Sequence, residues 1–195
     1  MINPSPQVLL AVVFSLSALH MLAPDHWVPI TVTSHRKGLS RPRTLLLASG
    51  IGLAHGTSSA ILSLAIAELG SFFFPAYYVD LFAVLLLIAV AIYIITNATL
   101  QARAGTKAES VSILVSVIPD PALVPFILIA QGYGVVFAFA MTSTFVIAAV
   151  VSVTAVVLLS AKGASVALSR IRAQYIDYLV ALALLLVAAF VYLYG

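Results

Sequence analysis

The chain has no cysteine. Disulfides, thiolate metal sites and thiol redox chemistry are therefore excluded. Charge is almost as scarce, at 8% of residues, where a soluble domain of this length carries about 25%. No Gly/Ser/Pro-rich linker or block of like charge interrupts the sequence, so residues 1–195 read as a single domain. The N-terminal "MINPSPQ" lacks the basic segment of a signal peptide, and the apolar run after it leads into His20 and Asp25. There is neither an ATP-binding glycine loop nor an HExxH metalloprotease motif.

What is present is apolar. Hydrophobic residues make up 63% of the chain and the mean hydropathy is +1.19. The runs are long enough to cross a bilayer, which takes about 20 residues. Six spans are expected, at 8–33, 45–68, 77–98, 111–130, 134–160 and 175–194. The fold class is all-α integral membrane.

All nine basic residues fall in alternate connections. Arg36, Lys37, Arg41 and Arg43 separate spans 1 and 2, Arg103 and Lys107 separate spans 3 and 4, and Lys162, Arg170 and Arg172 separate spans 5 and 6. The positive-inside rule places these loops in the cytoplasm and both termini outside a cell (inner or plasma) membrane. Tyr77, Tyr78, Tyr192 and Tyr194 then belong to an outer aromatic belt. The net charge of +3 is a topology signal and points to no nucleic-acid partner.

A faint internal repeat runs through the chain. "PDHWVP" (24–29) is echoed by "PDPALVP" (119–125), and "LAHGTSSAI" (53–61) aligns loosely with "FAMTSTFVI" (139–147). Odd and even spans enter from opposite sides, so the halves, about 1–100 and about 108–195, would be inverted copies with Pro-broken helices 1 and 4. That arrangement is a secondary-transporter signature, with the site where the broken helices meet near the midplane.

The most polar stretch inside a span is "HMLAPDHWVPI" (20–30). His20 and His26 on an unbroken helix would point about 120° apart. Pro24 removes a backbone hydrogen bond and suits a first helical position. Unwinding around 21–24 lets His20, Asp25 and His26 face one point, and unwound backbone at this depth is tolerated where it lines a cavity.

His55 lies near the middle of span 2. Gly50, Gly52 and Gly56 allow close helix approach there, and Thr57, Ser58 and Ser59 supply hydroxyls. A packing face whose histidine bonds a neighbouring carbonyl is the alternative. Three histidines and an aspartate on adjacent spans favour a pathway or relay, since ionisable groups in a membrane are costly. Three imidazoles with a carboxylate suit Ni²⁺, Co²⁺ or Zn²⁺, whereas Mg²⁺ and Ca²⁺ take more oxygens.

In the second half, the repeat would put Asp120 in the same cavity as Asp25 and Met141 opposite His55. A buried Asp120 needs a cation, a proton or a hydroxyl partner such as Ser116 or Thr142; otherwise it caps a helix restarting at Pro121. Glu68, Asp80 and Asp177 read as interfacial or helix-end acids, His35 as solvated and Trp27 as packing or cavity wall.

His20-x4-Asp25-His26 resembles the H-x4-D-H signature of nickel/cobalt permeases, and "LAHGTSS" resembles their second-helix motif. "VIPDPALVPF" is similar to the fourth helix of the shorter six-span NicO-type relatives in the lysine-exporter superfamily. The resemblance implies transition-metal transport, with His20, Asp25, His26 and His55 as ligands. Two positions depart from the pattern: Ala23 stands where the permeases usually carry aspartate, and Asp120 where the NicO-type helix often has cysteine.

The expected function is a secondary transporter of Ni²⁺ or Co²⁺, with the metal as cargo, no resident cofactor and no enzyme activity. A proton-coupled carrier of another solute using the cluster as a relay is the alternative, followed by an intramembrane metal-dependent hydrolase.

Overall fold

The computed structural model describes residues 5–73, 76–104, 117, 119–160 and 173–194. Lys107, Ser116, Lys162, Arg170 and Arg172 lie outside the described residues, as do the side chains of Tyr77, Asp80, Arg103 and Tyr194. Among the described residues the secondary structure is helical, with no strand. The helices are α1 (Pro6–Met21), α2 (Pro24–Arg36), α3 (Arg41–Phe73), α4 (Ala76–Ala104), a 3₁₀ turn (Pro121–Leu123), α5 (Val124–Gln131), α6 (Val135–Leu159) and α7 (Ala173–Tyr194).

Among the described residues four segments are long and apolar enough to cross a membrane: Arg41–Gly70, Leu81–Leu100, Val135–Leu159 and Gln174–Leu193. The bent pair α1–α2 makes a fifth if it is one span. The span expected at 111–130 is described only as the 3₁₀ turn and α5, which together fall short of a crossing; residues 111–116 lie outside the described residues. Large apolar side chains such as Leu46, Ile61, Leu85, Ile92 and Leu186 are exposed along these helices. This is the outer surface of a protein whose solvent is lipid.

The break between α1 and α2 follows from its sequence. Ser5 caps α1 by accepting from the Val8 N–H, and Pro6 sits at its start. Ala23 is extended (φ −60°, ψ 134°), the conformation that a following proline enforces. Pro24 then opens α2 at an angle of 49° to α1. The Trp27 indole N–H donates to the Leu22 carbonyl at 3.1 Å and pins the break from the α2 side. At its other end α2 stops at Gly38, whose φ of +59° lies in the left-handed region. There the N–H groups of Gly38 and Leu39 return to the carbonyls of His35 and Ser34.

The most extensive helix contacts pair α4 with α7, α3 with α6, and α1 with α6. The α3–α6 approach depends on two glycines one turn apart. A Cβ on Gly52 would meet Val150 Cα at 2.9 Å and Val153 Cγ1 at 2.8 Å, and one on Gly56 would meet Val146 Cα at 3.0 Å. Gly50 faces open space instead. Ser17 ties α1 to α6 by donating to the Phe145 carbonyl at 3.0 Å. Residues 124–130 of α5 are all buried, held among α3, α4 and α6.

The core has two apolar clusters. The larger joins α1, α3, α4, α5, α6 and α7, and the smaller gathers Met21, Trp27, Ile30, Ala48, Ile51 and the Ala149–Val157 part of α6. On α3, His55 falls between Ile51 of the smaller cluster and Ala60 of the larger. The buried His26, His55, Ser59 and Asp120 meet near that level.

Candidate functional site

His20 is the penultimate residue of α1, and His26 is in the first turn of α2. Across the break their Nε2 atoms lie 3.0 Å apart. The His55 ring joins them from α3, with centroid distances of 5.5 Å to His20 and 5.0 Å to His26. His55 is buried, at 1% exposure, and His26 at 5%. The three histidines expected to converge do so.

The carboxylate beside them is Asp120. Its Oδ2 lies 3.8 Å from His20 Nε2. His20, His55 and Asp120 each bring one ligand atom to within 4.8 Å of the others. Asp25 is also close: its Oδ2 is 4.0 Å from His26 Nε2 and its Oδ1 is buried, although its side chain as a whole is 45% exposed against 6% for Asp120.

Asp120 reaches the cluster because α3 docks the chain that precedes α5. Ser58 donates to its own helix at the His55 carbonyl and also to the Val117 carbonyl at 3.1 Å. Ser59 accepts from the Asp120 N–H at 2.8 Å while donating to the His55 carbonyl at 2.8 Å. The two serines after His55 thus fix Asp120 at the height of the imidazole. The carboxylate divides its work. Oδ1 accepts the Ala122 N–H at 2.9 Å and caps the 3₁₀ turn that begins at Pro121, while Oδ2 faces His20. One side chain therefore caps the 3₁₀ turn with one oxygen and faces His20 with the other.

The remaining expected positions are less involved. Thr57 is exposed, and its hydroxyl donates to the Leu53 and Ala54 carbonyls of its own helix. Thr142 likewise donates to the Ala138 carbonyl. Met141 is fully buried in the larger apolar cluster with Phe145 and Leu123. Glu68 is exposed. Asp177, read from sequence as a helix-end acid, is half-buried near the start of α7. Ser59 is the residue whose part the sequence understated, and the signal for it was its place in the hydroxyl run beside His55.

Chemically, the cluster offers imidazole nitrogens with one carboxylate oxygen in a buried setting. Two nitrogens held by one ion at about 2.0–2.1 Å are roughly 2.9–3.4 Å apart. The 3.0 Å between the Nε2 atoms of His20 and His26 falls within that range. Asp120 Oδ2, at 3.8 Å from His20 Nε2, is slightly wider, so it would join the same ion after a small contraction or through a water. The same spacing also suits a proton passed between two imidazoles, one donating and one accepting.

Searches of family models, of curated proteins and of solved structures give no match for this chain.

Proposed function

We propose that the protein is a gradient-driven membrane transporter of divalent transition-metal ions, with Ni²⁺ or Co²⁺ as the cargo. The observation that carries this reading is the meeting of His20, His26 and His55 with Asp120 at a break between α1 and α2. Nitrogen-rich donors with one carboxylate favour borderline ions over Mg²⁺ or Ca²⁺, and Zn²⁺ suits them too. The choice of nickel and cobalt rests on the resemblance of the H-x4-D-H and "LAHGTSS" motifs. Neutral His20, His26 and His55 bind the ion, and Asp120 offsets its charge. The site binds and releases it without bond-making chemistry, so the protein is a carrier and not an enzyme.

The six-span, inverted-repeat plan belongs to the same proposal. Helical structure begins at a proline preceded by an extended residue in both halves, at Ala23–Pro24 and at Asp120–Pro121. A two-fold relating the halves would map the α3–α6 and α4–α7 contacts onto themselves and the α2–α6 contact onto α3–α5, and all four contacts are present. In this reading the loop from Arg36 to Arg43 faces the cytoplasm and both termini lie outside.

The relay reading is kept by one observation: the 3.0 Å contact of His26 with His20 suits a proton transfer, and a water bridging the 3.8 Å from His20 to Asp120 would extend it. Purified protein reconstituted into vesicles separates the two. Uptake of labelled Ni²⁺ or Co²⁺ that saturates and depends on His55 supports metal transport. Proton flux without metal flux or metal binding would leave the relay.

A further inference from the structure

The basic end of the bundle holds a cavity that the metal reading does not use. Its volume is about 680 Å³, and it opens between α2, the start of α3 and the end of α6. Arg36, Arg41, His35 and Ser34 supply its polar wall, while Leu45 and Leu158 are among its apolar residues. Both arginines and His35 are exposed. Among the described residues no carboxylate pairs with Arg36 or Arg41. Ser34 is different from these: it is 7% exposed, and its buried hydroxyl has no hydrogen-bond partner among the described residues.

An orphaned buried hydroxyl costs about 1–3 kcal/mol unless something bonds to it. Here it lines a cavity beside two guanidiniums that no described carboxylate pairs with. Guanidinium forks and a hydroxyl donor together match a phosphate, and a cation would be repelled. The wall then turns apolar toward Leu45 and Leu158, which a soluble anion would leave unused and an acyl chain would cover.

We propose that this cavity is a binding site for an anionic phospholipid, its phosphate held by Arg36, Arg41 and Ser34 and its acyl chain along Leu45 and Leu158. The site stands apart from the metal cluster, and neither depends on the other. Basic pockets between transmembrane helices are the usual place for such headgroups. The turn at Gly38 sets the geometry, because it folds Arg36 and Arg41 back toward one another. The other two basic residues of the turn, Lys37 and Arg43, line a separate cavity of about 500 Å³.

That separation supplies the test. Full-length protein in detergent is equilibrated with phosphatidylglycerol and phosphatidylcholine in competition, and retained lipid is read by native mass spectrometry. Wild type should retain phosphatidylglycerol preferentially. Arg36→Gln/Arg41→Gln should lower that preference on the order of tenfold, from the loss of two close basic contacts. Lys37→Gln/Arg43→Gln removes the same charge from the same turn and should leave most of it. Ser34→Ala keeps every charge and should still weaken retention several-fold. Equal loss in both double variants would reduce the effect to general surface attraction and overturn the site. So would an absence of preference in wild type, which requires no variant to fold. Displacement of the lipid by millimolar glycerol 3-phosphate would reassign the cavity to a soluble phosphate.

Discussion

Nε2 of His26 lies 3.0 Å from Nε2 of His20, although the two residues would point away from each other on a continuous helix. The 49° bend at Leu22–Ala23 closes that angle. The pair therefore depends on the break, and the break on Pro24. With His55 stacked on His20, the three rings form one unit, and their removal should be felt jointly.

His20→Ala, His26→Ala and His55→Ala should each lower metal affinity by at least about tenfold to a hundredfold, the range seen even for outer-shell losses. Double variants should add little further loss. Isothermal titration of purified protein measures this. A histidine whose removal leaves affinity unchanged belongs to packing.

Binding should also depend on pH. Imidazole ligates only when neutral, and its ordinary titration falls near pH 6.5. Protons then compete with the ion, so affinity should be full above about pH 7.5 and decline as pH falls through about 6. Titrations across this range check it; a flat profile would point to carboxylates as the main ligands.

Asp120→Asn separates the two duties of that side chain. Asparagine retains an oxygen to accept the Ala122 N–H, so the 3₁₀ turn should persist. The charge that faced His20 is gone. Normal expression and thermal stability with transport reduced at least about tenfold is the expected outcome. Asp25→Asn, on the more exposed carboxylate, should cost less. The reverse order would return Asp25 to the first rank.

Gly52→Ala tests the α3–α6 contact. The added methyl would sit 2.9 Å from Val150 Cα, which is backbone and cannot swing aside. Overpacking of this kind costs about 1–3 kcal/mol. Thermal unfolding of the solubilised protein should fall accordingly, whereas Gly50→Ala, which meets open space, should be neutral or slightly stabilising. Equal effects would remove the close-approach account.

The absence of cysteine makes topology measurable without background. A cysteine placed at Val135, which is 82% exposed at the start of α6, should react with an impermeant thiol reagent in intact cells. One at Ser40, beside the basic turn, should react only after permeabilisation. The opposite pattern would invert the orientation.

Composition alone determined that the chain lives in lipid, because so few charges leave no other stable surface. Sequence-local chemistry determined the break, since a proline dictates the backbone of its predecessor wherever it sits. It also determined the three histidines, because polar residues so deep in a span have few uses. Which carboxylate joins them was another matter. Asp25 is adjacent to His26 in sequence, yet Asp120, 94 positions further on, is the one buried beside His20. That choice is made by Ser58 and Ser59, which hold the backbone of Val117 and Asp120 against α3. Likewise, three glycines on α3 looked equivalent for close packing, and only the facing helix decided that Gly52 and Gly56 are used and Gly50 is not. Periodicity shows that a helix has faces, but what each face meets is a contact between distant segments. Such contacts are set by the packing of the whole bundle, and they exist only once it has formed.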